Sequence, residues 1–372
     1  MADRNRKLAA DLLARADIEL DGSRPFDMRV HDDRLFQRIF AEGSLGLGEA
    51  YMDGWWDCDQ LDEFFNRVIR AEVQNAIPRN LRTLLYHLQA RFQNRQSKRR
   101  AFIPADVHYD LGNDLFEGTF DTRLTGSCGY WKEATDLDAS QDAKLDLICR
   151  KIGLQPGQNV LDIGCGWGAF MKFAAERYEA KCTGVTVSKE QVAWGQERCE
   201  GLPVDFHLMD YREARGTFDH VVSMGMFEHV GYQNYRTYFE TARRCLSDDG
   251  FFLLHTIGSP YSTTNIEPWL DKYIFPGGVL PSIGQIGEAI ENLFVIEDLH
   301  NFGADYDKTL MAWMEKFDRN WPALSARYDE RFYRMWKYYL LSCAGGFRSR
   351  QIQLWQLVLS KRGVLGGYAT VR

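Results

Sequence analysis

The amino-acid sequence predicts an α/β fold: a seven-stranded, doubly wound sheet with a smaller helical domain ahead of it. Three observations carry that expectation. The stretch VLDIGCGWGAF, Val160 to Phe170, runs from a buried strand through a loop of alternating glycines into the start of a helix. Downstream come six more strand-like runs, most of them separated by helical patterns, which implies a largely parallel sheet covered on both faces. Before residue 90 there is no such alternation, and apolar residues recur at helical spacing instead.

Composition sets the outer bounds. The 372 residues suffice for about two or three domains. With 45% hydrophobic and 26% charged residues, the balance is that of an ordinary globular protein. A formal net charge of −7 argues against whole-chain nucleic-acid binding and leaves any anionic partner to a local basic patch. The eight cysteines are scattered without a C-x-x-C pair, so reduced thiols are expected, with no disulfide framework and no metal site. The first twenty residues are broken by charge throughout, unlike a secretory signal, and no run of ~18 apolar residues offers a membrane span. A soluble, cytoplasmic protein is the expectation.

In chain order, Leu8, Leu12, Leu13 and Ile18 open the helical domain of residues 1–90, and Leu35, Phe36, Ile39 and Phe40 continue it. GSLGLGEAYMDGWWD, Gly43 to Asp57, is dense in glycine and aromatics and reads as a packed turn with Trp55 and Trp56 in a core. Leu61, Phe64, Phe65 and Val68 begin another amphipathic helix. Leu84, Leu85, Leu88 and Phe92 share one helical face, and Arg91, Arg95, Lys98, Arg99 and Arg100 cluster beside it. Residues 91–105 are thus either a solvated linker or a contact for anionic lipid, at ~1 kcal/mol per cation near a membrane surface.

A catalytic domain of residues 106–372 follows. His108 to Ala134 is irregular and aromatic, and TDLDASQDAKLDLICRKIGL has the acid-capped start of a helix leading to the central strand. After that strand come the helix Ala169 to Tyr178, the strand CTGVTVS and a helix from about Lys189 to Cys199. VDFHLMDY, FDHVVSMG and GFFLLHTIG are the next strands, and FVIEDLHNFG and QIQLWQLVLS the two late ones. Between these last two, Thr309 to Cys343 is helical. Its rings, Trp313, Phe317 and Tyr338 among them, read as core or as the lining of an apolar tunnel.

A strand that feeds a glycine loop and then a helix presents bare backbone N–H groups to a ligand, and glycine keeps side chains out of the way. Here an acid, Asp162, ends the strand, and the third glycine comes one residue earlier than in the dinucleotide fingerprint. An acid followed by G-x-G-x-G is similar to the binding loop of S-adenosylmethionine (SAM)-dependent methyltransferases. The order of elements fits their Rossmann-like variant of the doubly wound fold, whose last strand runs antiparallel. Ligands of such a sheet sit at the strands' carboxyl ends. That selects Gly164 to Gly168, Thr186 to Gln191, Asp210 and Tyr211, Gly225 to Glu228, and His255 to Gly258. The second strand ends in Thr186 and Val187 without an acid for a ribose, and Gln191 is placed to supply the missing hydrogen bond. Glu228 and His255 follow adjacent strands, so they can converge as an acid–base pair, although either alone is more often a structural polar group. Cys128 and Cys343 sit among aromatics, where a buried thiol is the default.

Beyond the loop, the chain resembles the cyclopropane fatty acid synthases, in their bacterial phospholipid-acting form. The resemblance spans nearly the whole chain and rests on GSLGLGEAYMDGWWD, HYDLGNDLF, SCGYWK, VLDIGCGWG, GVTVSKEQ, GMFEHVG, LLHTIGS, KYIFPGG, LPS, NFGADYDKTLMAW and CAGGFR. The helical first domain adds to it, since the related mycolic-acid-modifying enzymes lack one. The family implies transfer of a methylene group from SAM to a cis double bond of a phospholipid acyl chain, through a carbocation deprotonated by bound bicarbonate. On that likeness, Cys128 and Ile257 meet the bicarbonate through backbone groups, and Glu228, His255 and Tyr306 through side chains. Cys343 matches a cysteine once proposed as catalytic. The SAM site falls on Ser127, on Val160, Leu161, Asp162, Ile163, Gly164, Cys165, Gly166, Trp167 and Gly168, on Thr186, Val187, Ser188 and Gln191, and on Tyr211 and Arg212 beside Asp210. The family also implies a homodimer attached peripherally to the inner face of a phospholipid bilayer. One departure stands out: the family commonly has Tyr before the Ser-Cys pair, and this chain has Gly126.

Two other functions compete with ring formation. A SAM methyltransferase acting on a lipid or small molecule could stop at methylation, and a non-catalytic module could bind lipid or SAM without turnover. The set Cys128, Glu228, His255 and Tyr306 favours ring closure over both.

Overall fold

The computed structural model describes residues 2–73, 96 and 112–372, which fall into two compact units. The first combines the described part of Met1–Gln93 with Asn265–Pro276 and Tyr306–Ile352. The second takes in the described part of Asn94–Thr264 with Gly277–Asp305 and Gln353–Arg372. The apolar set Leu84 to Phe92, the basic side chains from Arg91 to Arg100, and the start of the segment at His108 lie outside the described residues.

In the first unit, helices Ala2–Ala14, Arg34–Glu42 and Leu61–Arg70 form where the apolar spacing places them. Leu12, Leu13, Leu35, Phe36, Leu61 and Phe64 are buried. The turn expected over Gly43 to Asp57 is corrected, because Ser44–Met52 is a helix. Glycine serves close approach there: a Cβ on Gly48 would lie 2.5 Å from the Trp269 indole. Trp56 is a core residue as expected, whereas Trp55 is half-buried beneath the guanidinium groups of Arg34 and Arg38. The helical domain also contains a short ribbon, β1 (Arg29–Val30) paired antiparallel with β2 (Trp56–Asp57).

The long aromatic stretch is two helices, Ala304–Leu324 and Glu330–Arg348. The second lies against Leu61–Arg70 so closely that a Cβ on Gly345 would sit 2.5 Å from the Asp62 carbonyl oxygen. Arg348 bridges Asp307 at 2.9 Å and Asp62 at 2.6 Å. Trp313, Phe317 and Tyr338 are buried, Tyr338 against Trp269 at 4.6 Å and Phe317 against Tyr333 at 5.6 Å. The late helices therefore pack with the early ones, while the partition at residues 90 and 106 follows chain order.

The second unit is the predicted sheet. Its strands are β3 (Asn159–Ile163), β4 (Lys181–Thr186), β5 (Val204–Leu208), β6 (His220–Met224), β7 (Phe251–Gly258), β8 (Val295–Asn301) and β9 (Gln353–Ser360). Their order is β5-β4-β3-β6-β7-β9-β8, with β3 to β7 parallel and β9 antiparallel to both its neighbours. β3 lies inside the sheet and alternates between two cores. Val160 packs on the face of the helices Leu137–Lys151 and Ala169–Tyr178, and Leu161 and Ile163 on the face of Tyr235–Cys245. Asp136 caps the helix before β3, accepting from the Ala139 N–H at 2.8 Å. From β3 the chain builds outward to β5 and then returns to the other side of β3 with β6. Winding reverses at β3, and the crevice of such a sheet opens at that strand's carboxyl end. Among the described residues no helix is long and apolar enough to cross a membrane.

Candidate active site

The glycine loop closes β3 at that reversal. The N–H groups of Gly164 and Cys165 donate to the Val185 carbonyl at 2.9 and 3.2 Å, which fixes the loop to β4. Gly164, Gly166 and Gly168 adopt φ of +81°, +54° and +82°, a region that strains any side-chain-bearing residue. Nothing lies within 4 Å of the point a Gly166 Cβ would occupy, so the loop backbone faces open space. The helix Ala169–Tyr178 begins directly behind it, adding the unsatisfied N–H groups of its first turn. Asp162 is buried with no hydrogen-bond partner for either carboxylate oxygen among the described residues, and burial pushes its carboxyl up to about 7 against the pull of Lys144.

The ends of β4 and β5 complete this side. The Thr186 hydroxyl donates to Gln191 Oε1 at 2.7 Å, and Ser188 Oγ accepts from the Gln191 N–H at 3.3 Å, capping the helix Lys189–Arg198. With its oxygen engaged, Gln191 offers its amide nitrogen as donor, where an acid would have met a ribose hydroxyl as acceptor. Asp210 accepts from the Arg212 backbone N–H at 2.9 Å and from its guanidinium at 2.8 Å, so its charge is balanced. That guanidinium lies 4.8 Å from the centre of the buried Tyr211 ring.

Glu228 and His255 come from the neighbouring strands β6 and β7. Glu228 sits on a short 3-10 turn, Phe227–His229, just past β6. Its Oε1 accepts from the Ile257 N–H at 2.6 Å, and its Oε2 is buried with no hydrogen bond of normal geometry among the described residues. Burial pushes the carboxyl up to about 7, with the Ile257 N–H, its own backbone N–H and the Thr256 hydroxyl opposing. The Ile257 amide is thereby committed to holding Glu228. His255 lies two residues earlier on β7, on the same sheet face as Ile257. Across the β7–β9 register, the Gln356 amide nitrogen lies 3.3 Å from His255 Nδ1. An amide N–H can only donate, so Nδ1 is the acceptor and the ring proton sits on Nε2. That Nε2–H is buried with no partner among the described residues. Burial, then Lys144 and Lys151, hold the imidazole well below its ordinary pKa and therefore neutral.

Ser127 and Cys128 are tied to the helix Leu137–Lys151. Gln141 Nε2 donates to the Ser127 carbonyl, and Lys144 Nζ to Ser127 Oγ, both at 2.7 Å. The Cys128 thiol points to the Gly129 carbonyl at 3.1 Å. Gly126 adopts φ +60°, so the departure from the family's tyrosine coincides with a left-handed turn. Tyr306 and Cys343 belong to the first unit. There the Tyr306 ring stacks on Phe347 at 4.4 Å, and burial followed by Glu267 pushes the half-buried Cys343 thiol up to about 12. Three polar contacts at the second unit's site were missed by sequence reasoning: Gln141, Lys144 and Gln356. A glutamine amid the apolar run of QIQLWQLVLS was a signal; a lysine in an amphipathic helix was none.

This arrangement presents an open glycine-loop backbone at the carboxyl end of β3, and beside it two buried polar side chains, Glu228 just past β6 and His255 on β7. A left-handed glycine loop at the reversal of a seven-stranded sheet with an antiparallel β9 defines the class of SAM-dependent methyltransferases. The family model described as mycolic acid cyclopropane synthetase matches residues 96–357. Cyclopropane-fatty-acyl-phospholipid synthase of Escherichia coli K12 is 53% identical over 366 residues, 98% of this chain and 96% of that one. Among solved structures, the cyclopropane synthase MmaA2 from Mycobacterium tuberculosis matches with a TM-score of 0.66 and 32% identity, over 70% of this chain and 98% of its own. The mycolic acid cyclopropane synthase CmaA1 complexed with SAH and CTAB matches at 0.64 and 33% identity, over the same shares. The chain belongs to the mycolic acid cyclopropane synthetase family.

Proposed function

We propose that this protein converts cis double bonds of unsaturated acyl chains in membrane phospholipids into cyclopropane rings. The substrate class follows the E. coli relative, which matches almost the whole chain. The observation that carries the ring-closing chemistry is the pair Glu228 and His255, each buried with one polar atom unpaired among the described residues. SAM supplies an electrophilic sulfonium methyl, and bicarbonate a replaceable proton acceptor. The glycine loop, Gln191 and Tyr211 hold the donor, while Glu228 Oε2 and the His255 Nε2–H hold the anion. An alkene is a weak nucleophile with no proton to remove first, so positioning dominates the barrier. Its π electrons form the new C–C bond as the sulfonium C–S bond breaks and its electron pair leaves with S-adenosylhomocysteine. The resulting carbocation in the acyl chain gives up a proton from the added methyl group to the bicarbonate, and the released C–H electron pair closes the ring. His255, neutral, donates a hydrogen bond without competing as an acid. A bare carboxylate aimed at the transferred carbon would itself be alkylated; an exchangeable anion avoids that.

Such a substrate requires a headgroup surface. The cations from Arg91 to Arg100 are assigned to that contact, at the cytoplasmic face, and a homodimer would present two such clusters at once.

The test is incubation with SAM and vesicles of unsaturated phospholipid, followed by fatty-acid analysis. A gain of CH₂ with loss of the double bond and resistance to mild hydrogenation is expected. A methyl branch would establish methylation without ring closure, and no gain of mass would sink the proposal. Glu228→Ala should lose most turnover and regain part of it with added bicarbonate; full activity in that variant would remove Glu228 from the reaction.

A further inference from the structure

Lys144 is a wholly buried lysine that the reaction as derived above does not use. The helix Leu137–Lys151 turns it inward beside Gln141, three residues earlier and so on the same face. Among the described residues its ammonium has one hydrogen-bond partner, Ser127 Oγ at 2.7 Å, while Gln141 clamps the Ser127 carbonyl at the same distance. The charged and titratable groups it faces are Asp121, Cys128, Asp162 and His255. Asp121 is occupied by Thr125 and by the Arg123 backbone N–H. Neither Asp162 carboxylate oxygen has a hydrogen-bond partner among the described residues. His255 is neutral, and Arg212 is committed to Asp210. A desolvated ammonium held by a hydroxyl is costly, and a chain that only had to fill this space would be served by Met or Leu.

We infer that Lys144 is a positioning residue of the transfer site: its ammonium fixes Ser127, and with it Cys128, and supplies the buried positive charge shared by Asp162 and the anion at Glu228 and His255. The inference rests on the proposed reading of this pocket as a site for SAM and a small oxyanion. Burial lowers the ammonium to about 8, so its charge disappears as pH rises through that value. A guanidinium would keep its charge there.

The test compares wild type with Lys144→Met, Lys144→Arg and Ser127→Ala. SAM affinity is measured by calorimetry, turnover is followed from pH 6.5 to 9.5 at several bicarbonate concentrations, and thermal midpoints are recorded. Lys144→Met is expected to weaken SAM binding about tenfold or more and to raise the bicarbonate needed for half-maximal turnover, with no loss of thermal midpoint. Lys144→Arg should bind SAM within about threefold of wild type and carry the alkaline limb of turnover upward by about one pH unit or more. Ser127→Ala should weaken SAM binding while leaving that limb in place, since the charge remains. If Lys144→Met binds SAM and responds to bicarbonate as wild type does, losing only thermal stability, the residue is structural and the inference is wrong. Should Lys144→Met fail to fold, an unmoved alkaline limb in Lys144→Arg overturns it equally. If wild type turns over no phospholipid, the proposed function fails, and the calorimetric comparison still judges Lys144.

Discussion

Glu228→Gln should make the unliganded protein more stable above pH 7 and a poor catalyst. Glu228 is buried, its Oε1 is held by the Ile257 N–H and its Oε2 has no hydrogen bond of normal geometry among the described residues. Burial raises its carboxyl from an ordinary 4.5 to about 7. Between those values the folded protein keeps a proton that the unfolded chain has lost. Stability therefore falls as pH rises from 4.5 to 7 and stays lowered above. At 1.36 kcal/mol per pH unit, that interval amounts to about 3 kcal/mol. Glutamine preserves volume and an acceptor for Ile257, and it cannot ionise. Urea unfolding of both proteins in bicarbonate-free buffer should give similar stabilities near pH 4.5 and a gap of about 3 kcal/mol in the variant's favour near pH 8. Turnover at pH 8 should fall by about tenfold or more, because the carboxylate proposed to accept from the bicarbonate O–H is gone. Stability curves that stay parallel from pH 4.5 to 8 would refute the reasoning, since the wild-type carboxyl would then be no harder to ionise in the fold than in the unfolded chain.

Three further outcomes are expected. Gly345→Ala, which in an exposed helix would gain stability, should cost about 1–3 kcal/mol in a thermal melt, because its Cβ would lie 2.5 Å from the Asp62 carbonyl oxygen. Gln356→Leu removes the donor to His255 Nδ1 and frees the ring to adopt the other tautomer; turnover should drop about tenfold with little change in SAM affinity, and an unchanged rate would show that Gln356 does not set the tautomer. Replacing Arg95, Lys98, Arg99 and Arg100 by glutamine should weaken binding to anionic vesicles, with the largest difference at low salt; equal vesicle affinity would make the cluster a linker.

The sheet was legible because its signals are local and redundant. β3, β4, β6 and β7 are short apolar runs bounded by polar or glycine-rich turns, and the loop at Gly164 to Gly168 has a spacing that few structures need. The element bounds moved by only a few residues. The helix Ser44–Met52 was illegible for a physical reason: glycine lowers helix propensity, and tertiary approaches explain it, of Gly46 to the Arg38 carbonyl and of Gly48 to Trp269, more than two hundred residues away. The grouping of Glu330–Arg348 with Leu61–Arg70 is likewise a non-local contact with no local pattern. At the site, strand position alone located Asp162 near the end of β3, Glu228 just past β6 and His255 in the second half of β7. Lys144 escaped because a lysine on an amphipathic helix is almost always solvated, and sequence alone does not reveal that this one points inward.

Burial alone does not separate functional carboxyls from structural ones; the sign of their effect on stability does. Asp27 and Glu228 are comparably inaccessible. Asp27 accepts from the N–H groups of Glu19 and Arg24 and is paired with the Arg24 guanidinium at 2.9 Å. Against the upward push of burial, these contacts hold its carboxyl below the ordinary range. Its folded pKa is depressed, so its stabilising contribution is present above the unfolded pKa and is lost as pH falls through the folded one. Asp27→Asn should therefore destabilise the protein at pH 7, with the deficit shrinking toward acid, whereas Glu228→Gln should stabilise it, with the gain shrinking toward acid. Each site has one polar side chain of the same charge, yet one is fully partnered by the protein and the other has an oxygen left unpartnered among the described residues. A fold selected for stability alone would retain the first and discard the second. If both variants shift stability in the same direction across pH 5 to 8, unpaired burial at Glu228 is not what distinguishes the site.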